Sequence, residues 1–263
     1  MLIDTHCHLD AAEFDADREQ VYAAKVDAGV TLLVVPAVER ANFATVSSVC
    51  REYSGCFPAY GIHPLYVVRA HEDDLVILRE WLQHDECIAV GEIGLDGYVP
   101  DRDEALQEHY FTAQLKLAQQ LDLPVILHVR RAIDKVLKLL RRHPVRSGIA
   151  HAFNGSRQQA DAFIKLGFKL GFGGAMTYEG STRIRELAAT LPIDAIVIET
   201  DAPDIPPAWK SGGRNTPADL QRIAQTLAAL REVSCVEIAD ATTRNAFEAL
   251  PRLNDLYNQG ETI

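Results

Sequence analysis

The sequence predicts one α/β domain across residues 1–263, a (β/α)8 barrel, and three observations carry that reading. The chain has 263 residues, 48% of them hydrophobic, which is enough for a full core and close to the ~250 residues typical of such a barrel. Short apolar runs alternate with segments of helical periodicity from one end to the other, with no linker or low-complexity stretch between them. Histidines and acids fall where the apolar runs stop, and a barrel builds its site at the C-terminal ends of its strands. Strand and helix alternating eight times with right-handed crossovers favour closure, and an open doubly wound sheet is the other arrangement that uses the same alternation.

Leu2 and Ile3 begin the first strand, which runs into Asp4-Thr5-His6-Cys7-His8. Side chains alternate along a strand, so His6 and His8 project one way and Cys7 the other. A helix over residues 18–28 stops at Gly29, a suitable left-handed cap, before a strand at 31–35. Helix 41–53, strand 56–62, helix 73–83 and strand 88–91 follow. Residues 103–120 give the strongest helical pattern, with Ala105, Leu106, Tyr110, Ala113, Leu117 and Leu121 expected along the buried side. Next come strand 124–127, a basic amphipathic helix at 132–142, strand 148–150 and helix 156–166. The last of these opens with Ser156-Arg157-Gln158-Gln159, a capping-box pattern. Strand 168–171, helix 181–190 and strand 195–199 complete the alternation. Helices at 217–231, begun by Thr216-Pro217, and at 236–250 end the series.

Composition narrows the function classes. Apolar runs such as Thr31-Leu32-Leu33-Val34-Val35 fall far short of the roughly 18 residues that span a membrane, and the N-terminus lacks a basic segment followed by an apolar one. The five cysteines, Cys7, Cys50, Cys56, Cys87 and Cys235, are scattered without a C-x-x-C, as expected of reduced thiols in a cytoplasmic protein. A net charge of −11 argues against broad, nonspecific binding of duplex nucleic acid, while leaving room for a small cationic site.

Following each strand to its end gathers the metal-type residues. Strand one ends at His6 and His8, strand three at His63, and strand four at Glu92 in Gly91-Glu92-Ile93-Gly94-Leu95-Asp96. Strand five ends at His128, strand six at His151 and strand eight at Asp201 in Glu199-Thr200-Asp201-Ala202-Pro203. Mixed imidazole and carboxylate donors suit Zn, Mn, Fe or Ni, and less ideally Mg. Six such groups exceed what one tetrahedral ion uses, and Glu92, on a central strand, is placed to bridge two ions.

The ordered motifs H-x-H, G-E-I-G-L-D, L-H-V-R, H-A-F-N-G and E-T-D-A-P, spread from Ile3 to about Phe247, closely resemble the TatD family of metal-dependent deoxyribonucleases. The resemblance implies a TIM barrel with two divalent ions, Mg, Mn or Zn, acting on DNA ends. By motif position His6, His8 and Asp201 would hold one ion, His128 and His151 the other, and Glu92 both. Two departures lie beside these positions and bear on substrate preference. Gly97-Tyr98-Val99-Pro100-Asp101 replaces the aromatic-basic run that many members carry, and Ala152 stands where cysteine or glycine is common.

The expected chemistry is attack of an ion-activated water on a phosphodiester, with Asp201 and Glu92 as catalytic carboxylates. Arg130, two residues past His128 on the same strand face, is the candidate phosphate clamp, or else a salt-bridge partner of Glu92 or Asp96. His63 is the candidate for a substrate phosphate, or orients a ligand from behind. Asp96 either supports a ligating histidine or caps the next helix. Gly171-Phe172-Gly173-Gly174 reads as a turn, and Thr216 as a helix cap with Arg214 near the rim. His71, His84, His109 and His143 read as surface residues. A hydrolase of the same architecture acting on a non-nucleic ester, an amide or a small phosphoester is the second reading. A non-catalytic metal-binding barrel is the third, and no obligate protein partner is implied.

Overall fold

The computed structural model describes residues 1–260, so the last three residues of the predicted domain lie outside the described ones. Eight strands pair in chain order, each parallel to the next: β1 (Leu2–Asp4), β2 (Val30–Pro36), β3 (Cys56–Tyr60), β4 (Ala89–Asp96), β5 (Val125–Arg130), β6 (Gly148–Ala150), β7 (Phe168–Phe172) and β8 (Ile196–Ile198). The circle closes just past β1 and β8. Thr5 N–H donates to the Ile198 carbonyl (3.2 Å), Asp201 N–H to that of His6 (2.8 Å), and His8 N–H to that of Ala202 (2.8 Å). The barrel is therefore closed, and the open sheet is excluded.

Strand alternation sorts the core into two layers. Leu33, Val35, Val125, Leu127, Ala150, Ile196 and Ile198 face outward against the helices. Ile3, Leu32, Val34, Ala59, Ala89, Ile126, Ile149 and Val197 form a second cluster inside the barrel. Its lower end is plugged by Ala246, Ala249, Leu250 and Leu253 from α9 (Cys235–Ala249) and α10 (Pro251–Gly260). The remaining helices ring the sheet: α1 (Arg18–Asp27), α2 (Phe43–Glu52), α3 (Glu72–Leu82), α4 (Glu104–Leu121), α5 (Ile133–Arg142), α6 (Arg157–Lys165), α7 (Thr182–Thr190) and α8 (Leu220–Arg231).

The structure corrects the expected elements in three places. β4 runs to Asp96 and β5 to Arg130, so Glu92, His128 and Arg130 lie within strands rather than after them. Helix α10 continues beyond Leu250, where Pro251 supplies a preset first turn and Leu253 a side chain for the barrel floor. In α4 the buried side is Gln107, Tyr110, Phe111, Gln114, Leu115 and Ala118, while Ala105 is exposed and Leu117 half-buried. The helix is rotated because two glutamines turn inward. Gln114 bonds both Ile62 N–H (2.7 Å) and Ile62 C=O (3.0 Å), and Gln107 accepts from Asp96 N–H (3.0 Å). These three bonds satisfy backbone groups next to His63 and at the end of β4.

Candidate metal centre

The inward parity of the barrel interior continues upward into the site. Ile126 leads to His128, Ile149 to His151, Val197 to Glu199 and Asp201, and Ala59 to His63. In β4 the parity from Ala89 would deliver Gly91. The register slips between Val90 and Ile93, and this bulge turns Glu92 to the inside instead. Gly91 has its own constraint, since a Cβ there would sit 2.7 Å from the Ile126 side chain.

Glu92 is the centre of the cluster, 2% exposed, and its two oxygens face different donors. Oε2 lies 3.2 Å from His6 Nε2 and 3.7 Å from His8 Nε2. Oε1 lies 2.9 Å from His128 Nδ1, 2.9 Å from His151 Nε2 and 3.4 Å from His63 Nε2. Asp201 Oδ1 is 3.6 Å from His6 Nε2 and 3.8 Å from His8 Nε2. The structure thus gathers all six expected ligands, with His63 as a further member. His6, His8 and Asp201 form one group whose donor atoms all lie within 4.8 Å of one another. His128 sits in a group with Glu92 and His63, and His151 in one with Glu92 and His6, whose ring it stacks against at 3.9 Å.

Several partners fix these rings. His8 Nδ1 faces the Pro36 carbonyl (3.1 Å), which can only accept, so the neutral ring carries its proton there and turns the Nε2 lone pair to the centre. His63 Nδ1 accepts from Leu65 N–H (3.1 Å), so its proton is on Nε2, toward Glu92. Asp96 supports a histidine rather than capping a helix: Oδ2 lies 3.0 Å from His128 Nε2, Oδ1 accepts from Tyr98 N–H (2.7 Å) and Val99 N–H (3.2 Å) in the turn after β4, and the cap of α4 is Asp103, which accepts from Leu106 N–H (2.9 Å).

Glu199 was quoted in a motif but given no role by sequence reasoning. It is 1% exposed, accepts from Ala152 N–H, and has Oε1 3.7 Å from His151 Nδ1. Gly171 and Gly173 are not merely a turn: a Cβ on Gly171 would meet the Glu199 carboxylate at 2.2 Å, and one on Gly173 the Glu199 carbonyl at 2.7 Å. Ala152 takes the left-handed φ of 45°, a conformation easiest for glycine, and so aims its N–H at Glu199. Strand parity was the signal that would have found Glu199.

Arg130 pairs with neither Glu92 nor Asp96; its guanidinium lies 3.7 Å over the Tyr98 ring at the mouth. Arg214 is absorbed by Asp17 (2.9 Å), and Thr216 caps the turn at Asp219. His109 lies beside Glu72 (2.7 Å) and His71 caps α3, both away from the mouth. Above the cluster a cavity of about 1320 Å³ opens at the C-terminal ends of the strands, lined among others by His8, His63, Tyr98, Arg130 and Asp201.

The family model for TatD related DNase matches residues 3–251. The chain belongs to the TatD family. It is 40% identical over 248 residues to the uncharacterized metal-dependent hydrolase YjjV of Escherichia coli K12, covering 93% of this chain and 96% of YjjV. It is 34% identical over 256 residues to the uncharacterized metal-dependent hydrolase YabD of Bacillus subtilis, covering 97% of this chain and all of YabD. The crystal structure of YjjV, described as a TatD homologue, superposes with a TM-score of 0.91 at 38% identity, over 95% of this chain and 98% of that one.

This TatD protein is thus a metal-dependent hydrolase, and its donor set fits a metal. Side chains that would otherwise crowd nitrogen lone pairs together, such as His6 Nε2 and His8 Nε2 at 3.2 Å, face a common point lined by carboxylate oxygens. Burial acts to raise the Glu92 carboxyl, but His151, His63 and His6 outweigh it and hold Glu92 well below the usual carboxylate range. Burial likewise pushes Asp201 up to about 7, with His151 and His8 only partly opposing it. Burial lowers His63 to about 4 despite Glu92.

Proposed function

We propose that this TatD protein is a two-ion phosphodiesterase that cleaves DNA from chain ends. The observation that carries the reading is the divided use of Glu92, whose two oxygens each face a separate set of imidazoles. His6, His8 and Asp201 would hold one ion, His128 and His151 the second, and Glu92 both. Divalent ions in those positions supply an activated water by lowering its pKa from about 15.7 toward about 7, and polarise the phosphoryl oxygens.

The protein's own residues do the rest. Asp201, beside His6 and His8 and lining the cavity, is placed to accept the proton of the attacking water and return it to the leaving sugar oxygen. Asp96 holds the His128 ring and Glu199 lies behind His151. Arg130, lining the cavity, contacts the substrate phosphate, while His63, its ring nitrogens turned to Leu65 and Glu92, orients Glu92 from behind. A mouth of about 1320 Å³ exceeds the roughly 300–1,000 Å³ of small-molecule pockets, which favours a polymer over a small phosphoester. Five unpaired cysteines, three of them buried, suit a reducing cytoplasm.

Purified protein incubated with end-labelled single-stranded DNA and Mg or Mn tests this reading, with Glu92→Gln as control. Stepwise shortening from an end is expected, lost in the variant. Equal activity in the variant, or turnover of carboxylic esters or amides far above that of DNA, rejects it.

A further inference from the structure

At the rim between β4 and β5, three side chains that the metal centre does not use are brought into one stack. Tyr98, 47% exposed, carries the guanidinium carbon of Arg130 at 3.7 Å and that of Arg131 at 4.6 Å from its ring centre, and all three line the cavity. Consecutive residues of a regular strand would point to opposite faces. Arg131 instead adopts the left-handed φ of 54° directly after β5, and that break lets both arginines reach one ring. The tyrosine is brought to them by Gly97, whose N–H donates to the Arg130 carbonyl (2.6 Å) and where a Cβ would lie 2.6 Å from the Arg131 carbonyl oxygen. A Cβ-free residue, a left-handed residue and an exposed aromatic thus meet at one spot.

The opposite side of the mouth has the reverse charge. β4 and β5 stand four strands away from β8 and β1, whose loops contribute Glu13, Asp15 and Asp204 to the cavity wall. Although Asp15 is paired with Arg18 and Arg183 also lines the cavity, the Tyr98, Arg130 and Arg131 side carries two adjacent cations and is the more favourable wall for an anionic chain.

We propose that Tyr98, Arg130 and Arg131 form the subsite for the nucleotide next to the scissile phosphodiester in single-stranded DNA. Its base stacks on the tyrosine and guanidinium tier, and its phosphate pairs with a guanidinium. The subsite rests on the nuclease reading above and specifies where the uncleaved chain lies. It requires an unpaired base, so single strands are preferred over duplex.

The test compares kcat/KM on single-stranded oligonucleotides of increasing length with that on bis(p-nitrophenyl) phosphate, a diester without a neighbouring base. Tyr98→Ala is expected to lower the oligonucleotide-to-diester ratio roughly tenfold, mainly through KM, and Tyr98→Phe to restore it. Arg131→Gln is expected to flatten the dependence of log KM on log salt by about 0.7, the loss of one phosphate contact on a single strand, whereas Tyr98→Ala leaves that slope in place. An unchanged ratio in both Tyr98→Ala and Arg131→Gln, with wild-type protein cutting DNA, overturns the subsite alone. Wild-type protein that hydrolyses the diester and no oligonucleotide overturns the nuclease reading, and the subsite with it.

Discussion

The two ends of the barrel are built on opposite principles from the same eight strands. At the lower end Ile3, Ile126, Ile149 and Val197 meet Leu250 and Leu253 in an apolar layer. One step further along the same strands, the inward positions are His128, His151, Glu199 and Asp201. Burying each large apolar side chain contributes roughly 1.5–3 kcal/mol, whereas burying an ionised carboxylate costs free energy unless it is paired. The floor can therefore hold the fold while the upper layer keeps charged groups crowded around Glu92. Stability and reactivity are separated by only two to four residues along these strands, and substitutions at the two ends should affect different measurements.

The largest effect is expected at the centre. Glu92→Gln keeps the shape of the side chain but removes the charge that both donor sets face, and a loss of about 10³-fold or more in kcat is predicted. Its melting temperature should stay within a few degrees of wild type because the floor is untouched. Dialysis against a chelator should abolish turnover, and restoring Mn or Zn should recover it. Metal analysis should return about two ions per chain, and saturating metal at about 100 times its Kd should stabilise the fold by about 2.7 kcal/mol. One ion per chain at full activity would contradict the bridging role of Glu92.

Next comes the floor. Leu253 is fully buried against the barrel interior, and Leu253→Ala is predicted to cost about 2–5 kcal/mol, read as a lower denaturation midpoint. Activity per folded molecule should be unchanged, and a matching fall in kcat would mean that the two ends are mechanically coupled.

How much of this division could be read in advance depends on which rule was in force. The barrel, its element order and the strand ends that carry His128, His151 and Asp201 follow from apolar runs and their spacing, because parity transmits position along a strand. Glu92 lies one residue off that parity, and the backbone irregularity after Val90, which the sequence does not announce, turns it inward. The buried side of α4 differs from the expected one because Gln107 and Gln114 look like surface residues; their burial depends on backbone groups of Ile62, just past β3, and of Asp96 in β4 that adjoin them only in the folded chain. Strand parity points Glu199 inward, but the room that lets it be buried there comes from the missing side chain of Gly171 on the neighbouring strand, which only the folded chain shows.

Gly171 marks the boundary between the two regimes, and Gly171→Ala probes it. The added methyl would overlap the Glu199 carboxylate, which is buried. Overpacking of this kind costs about 1–3 kcal/mol, and the displaced Glu199 should also disturb His151. Both stability and kcat are expected to fall, unlike either earlier variant. Glu199→Gly in the same chain should restore part of the stability but not the activity; recovery of both would show that Glu199 does not position His151.

The smallest predicted effect concerns how the upper end is held together. Asp219 fastens the long segment between β8 and α8, accepting from Trp209 Nε1 (2.9 Å), Lys210 Nζ (2.5 Å) and Thr216 Oγ1 (2.7 Å). Burial would raise this carboxyl, but the bonds from Lys210, Trp209 and Thr216 outweigh it and depress its pKa below the ordinary value of 3.8. Because the folded pKa is the lower one, the contribution is complete above the unfolded value and disappears as pH falls through the folded value. Asp219→Asn should therefore cost about 2 kcal/mol at pH 7, the range for hydrogen bonds to a charged group, and progressively less below about pH 4. Leu253→Ala removes no titratable group, so its penalty should stay constant over the same pH interval. Denaturation curves for the two variants at pH 7 and near pH 3 decide the matter: parallel losses at both pH values would mean that Asp219 acts by packing rather than by charge.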